Sequence, residues 1–485
     1  MKILVCFAFT IWQIVLGREF YSLNHQKFDS KKLTKEITQG MTVGDTVEGS
    51  GNDKLFLTQL IFRGAYDKAR SLALVDPELS PVKSYSGFLT VNITFNTNLF
   101  FWFFPAAYNP EQAPVVLWLN GGPGASSLFG LFTENGPYYV DSKGYLNMRS
   151  NSWALTHSMI YIDNPAGVGF SFTEDEDGFC RNQNQVAGDL YSALSQFFLL
   201  FPSFTNQDLY LGSQSYGAKY IASLGMRIHE ANSANPAVKI NFKGLILSSP
   251  YIDPMIQADY GSFLYSHGMI DDQARKHFDE ERLRFQELSA VKDWVKAHTL
   301  MDELFHGDLT PYATYYSNAT GFQNFLNYLQ PSFPPSFSQH RAFLRQPFVR
   351  TAIHVGSQKY HSFSKKVARS LKEDFHQSIR SVVERLLELD YKILVISAQL
   401  DVVCHAPGIH ELVHSLQWSG KEEFANASRT VWRVNNEHAG FLKVAKNLAY
   451  LVMRNSGHAI PHDQPLWTYT LINEFTSEFL FEEQV

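Results

Sequence analysis

The sequence predicts an α/β fold: a central, mostly parallel mixed sheet flanked by helices, with a helical cap inserted into it. Three observations carry this. Short runs rich in β-branched residues alternate with helical patterns, each run apolar on both faces and closed by Gly, Pro, Asn or Ser. At 208–223, DLYLGSQSYGAKYIAS, a strand runs into a helix with a serine at the corner. Between about 254 and 350 strand character disappears, and 271–305 is a charged, glycine-free stretch of helical period.

In chain order, residues 1–17, MKILVCFAFTIWQIVLG, have one early lysine, an apolar run and small residues at the end, with Val15 and Gly17 flanking the cut. They read as a secretory signal peptide, the run being shorter than a bilayer-spanning helix requires. No later stretch is long and apolar enough to span. The expectation is a protein of the secretory pathway, extracellular or lysosomal, without a membrane anchor. Sequons at Asn92, Asn318 and Asn426 agree with that compartment.

YSGFLTVN (85–92) and LFFWFFPA (99–106) read as an antiparallel pair at one edge of the sheet. The central strands are expected at 113–120, 158–165, 208–213, 242–249 and 391–398. The irregular PSFPPSFSQ (331–339) falls within the insertion. The expected organisation is a leader at 1–17, a first part of the α/β domain at 18–253, the cap at 254–350 and the second part at 351–485.

Composition narrows the function. The 485 residues are 45% hydrophobic and 18% charged, which supports a large packed core. Acidic residues number 47 against 41 basic, a net charge of −6, so no basic surplus exists to neutralise nucleic-acid phosphates. Cys6 lies in the leader, leaving Cys180 and Cys404 as one disulfide or two free thiols. No C-x-x-C, H-E-x-x-H or EF-hand loop occurs and the 17 histidines show no ligand spacing, so neither a metal nor a cofactor is expected.

The serine corner suggests nucleophilic catalysis. A strand–turn–helix of the form G-x-S-x-G lifts a serine hydroxyl above a sheet, but here the frame is Ser213-Gln214-Ser215-Tyr216-Gly217, with serine in place of the first glycine. A serine needs a base, and the base an orienting acid, in the order Ser, acid, His, each after a strand. Asp401 follows the strand at 391–398, and His458 follows the apolar run before GHAIP, which supplies that order. Gly121, Gly122 and Gly124 of WLNGGPGASS let backbone amides approach a developing oxyanion, and Tyr216 offers the second amide. No Gly-Lys-Ser/Thr follows to suggest a phosphate loop.

With SYSGFLTVN, NLFFWFFPA, VVLWLNGGPGASSLFGLFTENGP, YIDNPAGVGFSFT, SYGAKY, AIHVG, SAQLD and GHAIPHDQP in order from roughly 85 to 465, the chain resembles the serine carboxypeptidases of the α/β-hydrolase type, most of all their vitellogenic carboxypeptidase-like branch. The resemblance implies removal of C-terminal residues from peptides through an acyl-enzyme. It implies Ser215 as nucleophile, His458 as base and Asp401 as its orienter, with the amides of Gly122 and Tyr216 as oxyanion hole. The terminal carboxylate would sit at Asn120, Gly121, Glu134 and Gln214. Cys404 matches a position kept as a free thiol in some members, which counts against a bridge to Cys180.

Four residues depart from the family pattern: Ser213 and Ala218 replace glycines, Ala125 a cysteine and Gln214 a glutamate. Losing that glutamate is expected to leave KM for a free-acid peptide little changed from about pH 5 to 7.5, with the Gln214 amide donating to both Glu134 and substrate. Acyl transfer to an alcohol, and a weakly active or non-enzymatic binding homologue, remain alternatives at this stage.

Overall fold

A computed structural model describes residues 53–482, so the leader and Cys6 lie outside the described residues. Those residues fall within a single compact unit, 46–485. Its centre is a ten-stranded sheet in the order β1-β2-β6-β3-β7-β8-β9-β12-β11-β10. The aromatic-rich β1 (Tyr85–Asn92) and β2 (Thr97–Phe104) pair antiparallel at one edge, as expected. The strands β3 (Val115–Leu119), β6 (Ser158–Ile162), β7 (Leu209–Gln214), β8 (Phe242–Ser248) and β9 (Lys392–Ala398) run parallel through the middle. Their carboxyl ends lead into the loops that carry the site.

Period-two alternation feeds two cores, one on each face of the sheet. On β3, Val115, Leu117 and Leu119 point into one, and Val116 and Trp118 into the other. The first core is covered by α1 (Gln183–Leu200) and α2 (Gly217–Ser233), whose buried residues include Leu190, Leu194, Phe197, Ile221 and Leu224. Burying one such large apolar side chain stabilises the fold by about 1.5–3 kcal/mol.

After β8 the chain is helical. Asp271 caps α3 (Asp272–Ala290) and Asp293 caps α4 (Trp294–Met301), each accepting from a first-turn amide. A π-helical turn, Asp302–His306, ends at Gly307 (φ 70°), and α5 (Tyr315–Thr320) ends at Gly321 (φ 73°), both left-handed stops that glycine adopts without strain. No strand is described between β8 and β9, and helices continue past residue 350 to α6 (Arg380–Glu388), which packs back on α2.

Beyond β9 the apolar run before His458 forms a strand as expected, whereas the hairpin outside it was not expected. Strand β12 (Leu448–Met453) lies parallel to β9, and β10 (Thr430–Val434) and β11 (Glu437–Ala445) add an antiparallel hairpin beyond it. Asn435 and Asn436, both at positive φ (49° and 67°), form its turn, as in a type I′ hairpin. The Asn-Asn pair was the available signal, hidden among the polar residues of an edge. A separate hairpin joins β4 (Tyr138–Val140) to β5 (Leu146–Met148). The helix α7 (Pro465–Thr476) covers the second core with Leu471, Ile472 and Phe475. Cys180 and Cys404 are both buried and free, which settles the disulfide question in favour of two thiols.

Candidate active site

The turn between β7 and α2 places one serine apart from its surroundings. From Leu209 to Ala222 every residue is buried except Ser215. Its φ is +61°, a left-handed conformation that costs a serine strain and is held by its neighbours. The Ser215 amide donates to Ser248 O (3.0 Å), and its carbonyl accepts from Ala218 N (3.0 Å) and Tyr251 N (3.1 Å). Three backbone bonds thus fix the corner on β8 and α2.

The glycine loop after β3 presses onto this corner. A Cβ on Gly121 would lie 2.6 Å from Gly217 N and 2.7 Å from Tyr216 N, so no other residue fits without moving the turn. Gly122 (φ +108°) and Gly124 (φ +107°) hold the loop in a conformation that side chains rarely adopt. Gly122, Ser215 and Tyr216 line one cleft of about 470 Å³. The Tyr216 side chain is braced from behind: its hydroxyl donates to Asp374 Oδ2 (2.6 Å), and Lys219 Nζ donates to Asp374 O (2.7 Å) and Phe375 O (3.0 Å). Sequence reading missed this brace, since nothing local to Asp374 marks it.

Asp401 is fully buried in the loop after β9, with Oδ1 accepting from Cys404 N (3.1 Å) and Oδ2 from His458 Nδ1 (2.7 Å). The imidazole is therefore oriented by a carboxylate, and its bearer is anchored on both sides. His458 N donates to Leu326 O (2.7 Å), and His458 O accepts from Gln214 Nε2 (3.1 Å). Both His458 and Ser215 line the cleft. Burial pushes the Cys404 thiol well up, and the nearby Asp401 carboxylate adds to this while contact with the Ser215 hydroxyl opposes it. Donor atoms of Asp401, Cys404 and His458 lie within 4.8 Å of one another, a spacing a cation would bridge. However, the Asp401–His458 bond already engages two of them and the thiol stays protonated, which makes a poor ligand set.

Asn120, Glu134 and Gln214 form a closed polar cluster beside the cleft. The side chain of Asn120 is oriented by Gly130 N, which donates to its Oδ1 (3.0 Å); its Nδ2 then donates to Glu134 Oε2 and Gln214 Oε1, both at 2.9 Å. Gln214 Nε2 donates to Glu134 Oε1 (2.6 Å) and to His458 O (3.1 Å). Both Gln214 amide hydrogens are thus occupied within the protein, which corrects the expectation that one is free for substrate. Burial pushes the Glu134 carboxyl up to about 7, against the pull of its Asn120 bond and of the nearby His458 and His462. A titrating carboxyl therefore remains here despite Gln214.

The remaining residues singled out in the sequence divide. Ser213 is buried and its hydroxyl has no partner, while its Cβ would lie 3.0 Å from a Cβ at Gly217. The packing is tight but accommodated. Ser213→Ala removes an unsatisfied buried hydroxyl and is expected to raise the unfolding free energy by about 1 kcal/mol with the cleft chemistry retained, measured by denaturant unfolding and turnover together. Asn318 and Asn426 are exposed, on α5 and at the end of the helix Lys421–Asn426, whereas Asn92 is half-buried at the end of β1. The cleft also takes Tyr251, His306, Asp308, Phe325, Phe337 and His340, none of them singled out in the sequence, because they come from loops and short helical turns without a motif.

A family model described as serine carboxypeptidase matches residues 75–478. The venom serine carboxypeptidase of Apis mellifera is 43% identical over 424 residues, covering 87% of this chain and 90% of that protein. The probable serine carboxypeptidase CPVL of Homo sapiens is 42% identical over 433 residues, 88% and 90% of the two chains. The vitellogenic carboxypeptidase of Aedes aegypti is 40% identical over 432 residues, 88% and 91%. The crystal structure of a prohormone-processing carboxypeptidase from Saccharomyces cerevisiae superposes with a TM-score of 0.72 at 21% identity, covering 84% of this chain and 95% of that one. That likeness shows the fold, which is the α/β-hydrolase fold.

Proposed function

The chain belongs to the serine carboxypeptidase family, and from that premise we propose that it hydrolyses C-terminal peptide bonds with Ser215 as nucleophile, His458 as general base and acid, and Asp401 as orienter. The observation that carries the assignment is the one solvent-open serine of the β7–α2 turn, in a cleft also lined by Asn120 and Gln214, the two amides that hold the buried Glu134 carboxyl.

The terminal carboxylate docks beside Asn120, at the Gly121 amide and a protonated Glu134, with Asn120 and Gln214 holding Glu134 in place. The scissile carbonyl then lies over Ser215, a positioning that replaces a costly encounter. Ser215 Oγ attacks, His458 takes its proton, and the amides of Gly122 and Tyr216 receive the oxyanion. Collapse breaks the C–N bond, and His458 passes the proton to the leaving amine. Water then attacks the acyl-serine by the same route and frees the shortened peptide.

A fluorophosphonate probe tests the nucleophile: labelling is expected at Ser215, and labelling at Ser213 would sink the assignment. The free carboxylate is tested by amidating the terminus of a good peptide, which is expected to cost at least about tenfold in kcat/KM. Equal rates on the two peptides would mean an esterase or endopeptidase. Residues 254–350 are proposed as a cap on the catalytic face, supported by His306, Phe325 and Phe337 lining the cleft. The apolar segment at 1–17, read as a leader, and the sequons at Asn92, Asn318 and Asn426 support a place in the secretory pathway, extracellular or lysosomal. No helix among the described residues is long and apolar enough to cross a membrane.

A further inference from the structure

The cleft has two ends of different character. One end holds Phe129, Phe337 and His340: Phe129 meets Phe337 edge-on at 5.1 Å, and His340 stacks at 6.0 Å on Phe132, which shares the π-helical turn Gly130–Glu134 with Glu134. At the other end an aromatic chain runs from Tyr216 to Phe375 (5.3 Å), and from Phe375 to Tyr251 (5.5 Å) and His306 (5.3 Å). Asp308, two residues after His306, lines the cleft too. With the terminal carboxylate at Asn120 and Glu134, the last residue of a peptide faces the first end. The residue that donates the scissile carbonyl faces the second.

Two aspartates at the second end contrast sharply. Asp302 is buried and saturated: its oxygens accept from Asp308 N (2.7 Å), Thr310 N (2.7 Å), Thr310 Oγ1 (2.7 Å) and Leu309 N (3.1 Å). Those bonds clamp the loop that carries Asp308. The Asp308 carboxylate itself has no hydrogen bond or ion pair among the described residues, and Lys365 acts on it only through space. A half-enclosed acid without a bonded counter-charge is costly to the protein, a cost that a cation brought from outside would offset.

We propose that Asp308 is a specificity-determining residue that selects lysine or arginine as the residue donating the scissile carbonyl. The proposal rests on the assignment of Ser215 and the carboxylate cluster above. The stem of a long basic side chain lies along Phe375 and Tyr251, and its head reaches the carboxylate. Burial and the neighbouring Asp302 push the Asp308 carboxyl up to about 7, and a bound ammonium or guanidinium holds it ionised.

The test uses blocked dipeptides with one fixed terminal leucine and Lys, Arg, norleucine or Glu before it, at pH 7.5. Norleucine keeps the lysine stem and lacks its charge. For the wild type, kcat/KM is expected to be at least about tenfold higher on lysine than on norleucine, and Asp308→Asn and Asp308→Ala to remove that ratio. Wild-type preference for norleucine, a ratio that survives in Asp308→Asn, or equal losses on all four peptides would overturn the proposal. Wild-type cleavage of the norleucine peptide separates the two failures: it keeps the carboxypeptidase assignment standing when the charge preference is absent, whereas no cleavage of any peptide sinks both.

Discussion

Ser215→Ala is expected to abolish probe labelling and to lower kcat by about ten-thousand-fold or more, with the protein folded and its cleft intact. The expected effect is this large because the triad acts as a unit. Asp401 Oδ2 holds His458 Nδ1, so the imidazole presents its other nitrogen to the cleft as a base. Asp401→Asn keeps the shape but offers an N–H where an acceptor is needed, and is expected to lose about as much by favouring the wrong tautomer. Combining Ser215→Ala with His458→Ala should add little to either alone. The measurement is single-turnover hydrolysis of a blocked dipeptide, with circular dichroism to confirm folding. A Ser215→Ala protein that retains a tenth of wild-type turnover would remove Ser215 from the mechanism.

The parts of this site that were legible in the sequence share one physical feature: they are held by local backbone requirements. Gly121 and Gly122 are glycines because Tyr216 N, Gly217 N and their own loop leave no room for a side chain. Asp401 and His458 follow buried strands, and apolar runs betray such strands. The residues of the Asn120–Glu134–Gln214 cluster were singled out by resemblance, but its hydrogen-bond directions were not. Which hydrogens Gln214 has to spare depends on the His458 carbonyl, 244 residues away in sequence. Likewise the β10–β11 hairpin is an edge element with few buried residues, so its alternation is weak. The cleft walls from His306 to His340 lie in loops and short helical turns positioned by tertiary contacts such as the Asp302 clamp, and no short pattern encodes those.

KM for a free-acid peptide is expected to stay level below about pH 7 and then climb roughly tenfold per pH unit, reaching about a hundredfold by pH 9. The sign follows from the donors at the carboxylate site. The hydrogens of Gln214 Nε2 go to Glu134 and the His458 carbonyl, and those of Asn120 Nδ2 to Glu134 and Gln214. An ionised Glu134 is therefore fully solvated by the protein, and an arriving carboxylate meets a like charge with only the Gly121 amide uncommitted. Protonated Glu134 instead turns one oxygen into a donor and removes the repulsion. Burial sets the Glu134 pKa at about 7, so the binding-competent form prevails below that pH and is lost above it. Glu134→Gln supplies a permanent donor of the same shape and is expected to make KM level from pH 6 to 9. Gln214→Glu places a second carboxyl 2.6 Å from the first, so one proton is shared and its loss moves to higher pH, delaying the climb. Reading KM rather than kcat/KM keeps the catalytic imidazole out of the measurement. A wild-type KM that stays level through pH 9, or a climb that persists in Glu134→Gln, would show that Glu134 does not carry the proton that substrate binding requires.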